Sequence, residues 1–195
     1  MISLIVFLGN YGSNYAGNRH NVAWIFANNL SFASSLSWQK KFRGQYASYR
    51  FSGGPDGSRQ VHFLKPETYM NLSGESVQDA MCFFKLTSEE VLIIHDEIEL
   101  PPGTLSLKWS GGLGGHNGLR SIKTSLNTPD FWRLRFGIGR PAHADVASYV
   151  LSDFTEDERS VLALMQQPAE GLLETVLSEG PKTCLPAWAK KKLVD

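Results

Sequence analysis

The sequence predicts an α/β fold, in which a twisted, mixed and largely parallel sheet is flanked by helices on both faces. Two observations carry this prediction. Uninterrupted apolar runs at residues 3–8 and 91–95 are typical of strands that are buried on both faces. Apolar residues at helical spacing lie between the predicted strands, at 22–30, 77–84 and 119–126. Strands that alternate with amphipathic helices favour a parallel sheet covered on both sides.

The first half of the chain contains three predicted strands and two predicted helices. A Gly-rich turn ends the first strand, and the helix that follows begins close to His20. Two antiparallel strands are expected at 45–51 and 60–65, because a turn that contains Gly and Pro separates them. We expect Asn71 or Ser73 to cap the second helix.

The second half is expected to alternate strands, a Gly-rich loop and a helix. The loop cannot be regular structure, because each of its glycines carries a large backbone entropy cost, and we expect it to be mobile. The predicted order is a strand at 91–95, a turn at 101–103, an edge strand at 104–109, the loop at 110–118, a helix at 119–126 and a last strand at 133–138.

We expect one domain that spans residues 1–195. The length lies within the range of single domains, and an apolar fraction of 42% suffices for a core. Thr155 begins a capping-box pattern, Thr-Glu-Asp-Glu, which predicts a C-terminal helical region at about 155–180. The lysine-rich tail at 189–192 is expected to be solvated.

The charges of the chain cancel, but they are unevenly distributed. Nineteen Lys and Arg residues balance nineteen Asp and Glu residues, so no whole-molecule field attracts nucleic acid or an anionic membrane. Residues 101–140 carry six basic side chains against one acidic, and residues 145–180 carry eight acidic against one basic. A polyanionic partner must therefore be held by a local basic patch.

The cysteines and the N-terminus favour a cytoplasmic protein. Cys82 and Cys184 follow neither a disulfide pattern nor a zinc-ligand spacing, which fits a reducing compartment. The first apolar run breaks at Gly9, well short of a signal peptide or a membrane span. We expect no association with a membrane.

His20 is the candidate catalytic base. An imidazole can take and return a proton near neutral pH, and His20 lies at a strand-to-helix junction, where open α/β sheets place ligands. Asp96 ends the second buried strand and is expected to orient the imidazole through a hydrogen bond. The alternative is that Asp96 only caps the turn after its strand.

Three asparagines, Asn10, Asn71 and Asn117, sit at comparable loop-to-helix junctions. A buried asparagine with a fixed amide can position the peptide groups of a substrate, or a water molecule, without adding charge. Each of them could instead only cap a helix or occupy a turn.

The sequence gives less support to a catalytic metal site or to a side-chain nucleophile than to a histidine base. Four titratable residues at 95–99 make a metal site conceivable, but no H-E-x-x-H or similar ligand spacing accompanies them. No G-x-S-x-G is present either, which leaves water as the expected nucleophile. We therefore expect no catalytic metal.

Two features could hold a phosphate. The backbone N–H groups of the Gly-rich loop could bind a phosphate or an oxyanion. Lys108 and Arg135, on neighbouring predicted strands beside the loop, could clamp a phosphate by charge-assisted hydrogen bonds. A solvated basic face is the alternative for both side chains.

The chain resembles the bacterial peptidyl-tRNA hydrolases in six ordered blocks between about Ile2 and Leu151. Any one block would be weak, whereas the six together are specific. They are G-N-Y-G-x-x-Y, N-R-H-N, K-P-x-T-Y-M-N-x-S-G, H-D-E-I-E-L-P-P-G, G-G-H-N-G-L-R-S-I and R-L-R-F-G-I-G-R-P.

The resemblance implies a monomeric α/β enzyme that hydrolyses the ester between a peptide and the terminal ribose of tRNA. Such an enzyme recycles tRNA dropped by stalled ribosomes and needs no cofactor. The implied partner is peptidyl-tRNA, contacted at its acceptor stem and CCA end.

The motifs of the family assign a role to individual residues of this chain. His20 is implied as the base that activates water, with Asp96 in support, and Asn10 as the residue that senses the blocked amine. The implied substrate contacts are Tyr15, Tyr69, Asn71 and Asn117. The implied clamp for the tRNA 5′-phosphate is Lys108 with Arg135. The implied lid spans 111–118 and includes Gly111, Gly112, Gly114, Gly115 and His116.

Four positions depart from the usual family pattern. Tyr11 replaces a proline, Phe7 a glycine and Asn18 a threonine, while Ser106 replaces a basic residue found in some members. Tyr11 loosens the restraint on the turn that carries Asn10. Losing a basic residue at Ser106 is expected to weaken tRNA affinity and its salt dependence.

Two other functions remain open on the sequence. One is a non-catalytic RNA-binding protein that lost its chemistry through the changes at Phe7 and Tyr11. The other is a metal-assisted hydrolase that acts on a different ester. Cleavage of a blocked aminoacyl-tRNA in the presence of a chelator would distinguish the three.

Overall fold

The computed structural model describes residues 1–54, 57–141 and 145–194. The strands are β1 (Leu4–Phe7), β2 (Gln39–Lys41), β3 (Gly44–Gly54), β4 (Gly57–Pro66), β5 (Val91–Glu97), β6 (Thr104–Trp109), β7 (Trp132–Gly137) and β8 (Lys191–Lys192). The α-helices are α1 (Val22–Asn28), α2 (Ser73–Phe84), α3 (Asn117–Leu126), α4 (Val146–Val150), α5 (Glu156–Glu179) and α6 (Pro181–Trp188).

The eight strands within the described residues form one mixed sheet, in the order β2-β3-β4-β1-β5-β7-β6-β8. The neighbours β4, β1, β5 and β7 run parallel, and the outer strands are antiparallel to their neighbours. One apolar core lies between the sheet and helices α1 and α5, and a second lies between the opposite face and helices α2 and α3. The predicted mixed α/β sheet with helices on both faces is therefore confirmed.

The buried strands follow from their sequence. Every residue of β1 and β5 is buried, as the unbroken apolar runs predicted. The antiparallel pair β3 and β4 is also confirmed, while Pro55 and Asp56 of its predicted turn lie outside the described residues. The capping box at Thr155 is present, and α5 extends to Glu179.

Neither Asn71 nor Ser73 caps α2, which corrects the prediction. A short 3-10 turn at Met70–Leu72 runs directly into the helix, so no residue there has the extended backbone of a side-chain cap. The hydroxyl of Ser73 donates to the carbonyl of Met70, and Ser121 of α3 accepts the backbone N–H of Gly74.

The predictions for the edge strand and the tail are wrong in part. Strand β8 covers the start of β6, so β6 is not an edge strand and β7 is not the last strand. The hydroxyl of Ser106 donates to the carbonyl of Ala189, and Leu193 donates its backbone N–H to Gly103. The lysine side chains of β8 are exposed, but its backbone is paired, because β6 offers a free row of hydrogen-bonding groups.

The Gly-rich loop is shorter than predicted. Helix α3 begins at Asn117, so Asn117 and Gly118 are helical, and the loop ends at His116. In the part of the chain that the structure describes, no helix is long and apolar enough to cross a membrane.

Candidate active site

A cleft of about 620 Å³ opens where the parallel strands β1 and β5 end. Its polar lining includes Asn10 after β1, Asp96 at the end of β5, and His20. Residues of α4, among them Val146 and Val150, line its apolar wall. The carboxyl ends of parallel strands meet at one edge of a sheet, which explains why residues so far apart in sequence come together.

His20 and Asp96 form the hydrogen-bonded pair that the sequence predicted. His20 lies on a 3-10 turn, Arg19–Asn21, immediately before α1, and its Nδ1 is 2.8 Å from Oδ1 of Asp96. Both residues are buried, with 8% and 3% of their surface exposed. Because a carboxylate can only accept, Nδ1 carries the proton, and Nε2 is the ring nitrogen that can accept one.

His116 is a second imidazole on the same carboxylate. Its Nε2 is 3.1 Å from Oδ1 of Asp96, and its Nδ1 accepts the backbone N–H groups of Gly118 and Leu119, as the N-cap of α3. Since Nδ1 accepts, the proton must be on Nε2, which donates to Asp96. Both ring nitrogens of His116 are thus engaged, whereas Nε2 of His20 has no hydrogen-bond partner among the residues that the structure describes.

The pKa values of His20 and Asp96 are shifted in opposite directions from their usual values. Burial acts to lower the pKa of His20, but the charge and the hydrogen bond of Asp96 outweigh it and raise that pKa above its usual value. Burial acts to raise the pKa of Asp96, yet the charges of His20 and His116 and their hydrogen bonds hold it well below its usual value. Asp96 is therefore a carboxylate throughout the neutral range.

His95, the neighbour of Asp96, cannot serve as the base in the same way. It is fully buried, and its Nδ1–H donates to the backbone carbonyl of Asp96 at 2.6 Å. Burial, reinforced by the charge of His116, lowers its pKa far below the usual value, so the ring is neutral. It packs edge-on against His116, with the ring centroids 5.1 Å apart.

Asn21 fixes the turn that carries Asn10, and the sequence did not single it out. Its side-chain oxygen accepts the backbone N–H of Asn10 at 2.7 Å, and its amide donates to the carbonyl of the same residue at 3.0 Å. The side chain of Asn10 itself lines the cleft. The second asparagine of N-R-H-N was the available signal.

The three asparagines are less buried than expected. Asn10 is partly exposed, while Asn71 and Asn117 are exposed. Asn10 and Asn117 line the cleft, whereas Asn71 does not. The expectation of buried amides is therefore wrong for Asn71, in the 3-10 turn at Met70–Leu72, and for Asn117, the first residue of α3.

The two tyrosines that were expected to contact substrate are exposed at the surface. Tyr69 is 81% exposed and Tyr15 is 39% exposed, and neither lines the cleft. Tyr69 immediately precedes Met70, which does line it.

Lys108 and Arg135 lie on the adjacent strands β6 and β7, but they are not directly opposite each other. Arg135 is opposite Ser106 and donates to its hydroxyl at 2.6 Å, and it also pairs with Glu97 at 3.3 Å. Lys108 is opposite Arg133. Burial and the charges of the two arginines lower the pKa of Lys108, which places all three cations in one cluster.

Arg133 is a functional candidate that sequence reasoning missed. It is fully buried and donates to the carbonyls of Ser110 and Gly112, so it holds the first half of the loop. Burial, with the charge of Arg135, lowers its pKa to about 10.

The loop glycines take conformations that other residues rarely adopt. Gly111, Gly114 and Gly115 have φ values of +85°, +59° and +78°. A Cβ at Gly114 would also lie 3.3 Å from the carboxylate of Glu97, so the backbone approaches that side chain closely. Gly114, Gly115 and His116 line the cleft, and the carbonyl of Gly112 accepts a hydrogen bond from Arg133.

His20, Asp96 and His116 could also ligate a metal ion, because their donor atoms lie within 4.8 Å of one another. The two imidazole nitrogens that face Asp96 are at hydrogen-bonding distance from a single carboxylate oxygen. Metal binding at those atoms would require both to lose their protons, and His116 would then also lose its role as N-cap.

The four departures from the family pattern fall outside the histidine–aspartate pair. Phe7 is a buried core residue that packs against Phe63, with the ring centroids 6.0 Å apart. Tyr11 is 55% exposed, and Asn18 is buried and pairs with Asp153. Ser106 is buried beneath the C-terminal tail.

A mixed α/β sheet with an oriented imidazole in a cleft at its strand ends is an arrangement typical of enzymes that use general acid–base catalysis. The comparisons specify the family. The family model of peptidyl-tRNA hydrolase matches residues 4–194. The chain therefore belongs to the peptidyl-tRNA hydrolase family, and its activity is that of a hydrolase of peptidyl-tRNA, in translation.

Individual relatives agree with this assignment. The peptidyl-tRNA hydrolase of Treponema pallidum is 46% identical, with 100% of this chain and 98% of the relative covered. That of Trichlorobacter lovleyi is 41% identical, with 98% and 97% covered. The crystal structure of peptidyl-tRNA hydrolase from Acinetobacter baumannii matches with a TM-score of 0.86 and 35% identity, over 96% of each chain.

Proposed function

We propose that His20 is the general base that activates water for attack on the ester between a peptide and the terminal ribose of tRNA. The 2.8 Å contact between Nδ1 of His20 and Asp96 carries this proposal. It leaves Nε2 as an acceptor in the cleft, where a water molecule can donate to it. The protonated ring then returns its proton to the departing ribose oxygen.

The electrostatics of the pair support this role. A base that gains a proton in the transition state is helped by a fixed negative charge, and Asp96 stays ionised because its pKa is well below the usual value. His116 donates to the same carboxylate oxygen and packs beside His20, with the ring centroids 4.7 Å apart, which restricts the orientation of Asp96. We assign His116 to the support of the base as well as to the lid.

The oxyanion of the tetrahedral intermediate needs donors on the opposite side of the ester. Asn10, Gly114, Gly115 and Asn117 line the cleft, and side-chain amide or backbone N–H groups of these residues are the proposed donors. Each such donor contributes on the order of 3 kcal/mol to the stability of the transition state. Asn71 lies outside the lining, so its role is a contact with a more distant part of the substrate.

Recognition of the substrate uses two regions. Asn10 senses the blocked amine of the peptide, and Tyr15, Tyr69, Asn71 and Asn117 contact the CCA end. The cluster of Lys108 and Arg135, with the lid at Gly111, Gly112, Gly114, Gly115 and His116 beside it, holds the 5′-phosphate of the acceptor stem. In support, a Cβ at Gly111 would lie 3.2 Å from Lys108, so the loop packs on the cationic cluster.

We further propose that the protein acts as a monomer in the cytoplasm. Both cysteines are free thiols, and Cys82 is exposed, which fits a reducing compartment. Sedimentation at micromolar concentration tests the monomer, and a mass of 21.7 kDa is expected.

The decisive experiment compares N-acetylated with free aminoacyl-tRNA as substrates of the wild type and of His20→Ala. We expect the wild type to cleave the blocked substrate, and His20→Ala to bind tRNA with nearly unchanged affinity but not to turn it over. His62→Ala is the matched control, since this histidine lies on β4, contacts Tyr46 of β3 and does not line the cleft. Turnover by His20→Ala would show that the base is another group, and binding of tRNA without cleavage by the wild type would favour a non-catalytic RNA-binding protein.

A metal-assisted mechanism is the second candidate, because the donor atoms of His20, Asp96 and His116 cluster within 4.8 Å. The same assay in excess chelator separates the two candidates. The general-base proposal expects an unchanged rate, whereas loss of activity that added metal restores would favour the metal.

A further inference from the structure

The turn that carries His20 is fastened to the C-terminal part of the chain by one buried cation. Arg19 precedes His20 on the same 3-10 turn, and only 5% of its surface is exposed. It does not line the cleft and has no place in the proposed chemistry. Its contacts indicate what it does instead.

The guanidinium of Arg19 bonds to two segments at once. Nε and Nη2 donate to the two carboxylate oxygens of Glu158 at 3.2 and 2.6 Å, which is the bidentate geometry of a strong ion pair. Nη1 donates to the carbonyl and the hydroxyl of Ser152 at 3.2 and 2.6 Å and to the carbonyl of Asp153 at 2.9 Å. The cation therefore ties the first turn of α5 to the segment between α4 and α5.

The backbone reinforces the same connection. The N–H of Arg19 donates to the carbonyl of Ser152, the N–H of Phe154 donates to the carbonyl of Gly17, and Asn18 pairs with Asp153 in an antiparallel bridge. These bonds make the His20 turn and residues 152–154 a single unit.

The connection extends to the apolar wall of the cleft. The guanidinium carbon of Arg19 lies 4.3 Å from the ring centroid of Tyr149, on α4, and the hydroxyl of Tyr149 donates to the carbonyl of Ile138 at 2.6 Å. Val146 and Val150 of the same helix line the cleft together with His20. One side chain thus contacts α4, which forms part of the cleft wall, and belongs to the turn that carries the base.

We propose that Arg19, with Glu158 as its counter-ion, is a positioning residue that sets the place of His20 relative to Asp96 and to the α4 wall. It acts through the backbone of His20 and touches neither substrate nor reacting atoms. This inference rests on the proposed role of His20 as the base. A displacement of a catalytic group by about 1 Å can lower kcat by up to about 100-fold, so the effect is measurable.

The test uses Arg19→Gln and Glu158→Gln, with Arg43→Gln as the matched control. Arg43 also pairs with two carboxylates, Glu75 and Asp79, but on an exposed surface away from the cleft. The substrate is N-acetyl-aminoacyl-tRNA, and kcat and KM are measured below the melting temperature of each variant. The pKa of His20 is measured by NMR titration of its ring protons.

We expect Arg19→Gln to lower kcat by about 10- to 100-fold, with KM changed by less than about 3-fold. The pKa of His20 should move down toward its ordinary value, because the ring is no longer held against Asp96. Glu158→Gln should change both quantities in the same direction but less, since the bonds to Ser152 and Asp153 remain. Arg43→Gln should match the wild type.

A folded Arg19→Gln with the kcat and the His20 pKa of the wild type would overturn the inference, even if its melting temperature is lower. A higher KM with unchanged kcat would overturn it as well, since Arg19 would then act on the substrate. If Arg19→Gln does not fold, Glu158→Gln decides by the same criteria. Turnover by His20→Ala in parallel would refute the role of His20 itself, which keeps the two failures distinguishable.

Discussion

Replacing Asp96 by asparagine isolates the contribution of its negative charge. Two imidazole N–H groups, from His20 and His116, point at the same oxygen, so the asparagine must place its carbonyl oxygen there and its amide group on the other side. Both hydrogen bonds can then persist in neutral form. What disappears is the attraction between the carboxylate and the protonated His20 of the transition state.

The magnitude follows from the geometry. With the ring nitrogen 2.8 Å from the carboxylate oxygen, the centres of charge lie roughly 4 Å apart, and at an effective dielectric constant of about 20 their attraction is about 4 kcal/mol. That energy corresponds to a factor of about 10³ in kcat. The neutral hydrogen bond between the asparagine and His20 retains part of this stabilisation. We therefore expect kcat to fall by about 10²- to 10³-fold, with little change in KM.

The assay is steady-state hydrolysis of N-acetyl-aminoacyl-tRNA as a function of pH. Asp96 raises the pKa of His20 against the effect of burial, so its removal should shift the acidic limb of the profile to lower pH. Asp79→Asn, at the exposed ion pair with Arg43, is the control. An Asp96→Asn variant that retains kcat within about 3-fold and an unshifted limb would refute the reasoning.

Three further predictions address the rest of the site. Asn10→Ala should lower the preference for N-blocked over free aminoacyl-tRNA, measured as the ratio of the two kcat/KM values, and an unchanged ratio would remove Asn10 from recognition of the amine. Lys108→Ala should weaken the binding of 5′-phosphorylated tRNA more than that of dephosphorylated tRNA, and should reduce the salt dependence of affinity by about one phosphate contact. Titrations at several salt concentrations measure both effects, with Lys123→Ala as control. Equal effects on the two tRNAs would contradict the clamp. The pKa of His20 is higher in the folded than in the unfolded protein, so its contribution to the free energy of unfolding is complete below about pH 6.5 and is lost as pH rises through the folded pKa. Wild type and His20→Gln should therefore differ more in their free energies of unfolding, measured by urea denaturation, at low pH than at high pH. The reverse trend would contradict the ion pair.

The sequence predicts those parts of the site that depend on local pattern and on strand ends. The apolar runs of β1 and β5 specified two parallel strands, and the residues that follow parallel strands meet at one edge. The pairing of His20 with Asp96 could therefore be anticipated. No dihedral or side-chain detail was needed for it.

Other contacts depend on how elements dock, which no local pattern encodes. His116 reaches Asp96 only because it is the N-cap of α3, and that end of the helix lies beside the end of β5. Arg133 is more deeply buried than Arg135, and its guanidinium donates to the carbonyls of Ser110 and Gly112 in the Gly-rich loop. That contact depends on how the loop packs against β7. The two lysines of β8 carry no strand pattern, and they pair because β6 has an open edge. Asn71 does not cap α2, because a 3-10 turn continues into the helix.

One comparison tests the central claim most directly: the pKa of His20 from NMR titration of the free enzyme against the pKa of the acidic limb of kcat/KM, which reports the free enzyme. If His20 is the base that Asp96 orients, the two values should coincide and lie above the ordinary histidine value. A kinetic pKa that differs from the titrated one by about a unit or more, or an acidic limb that survives in His20→Ala, would contradict the account.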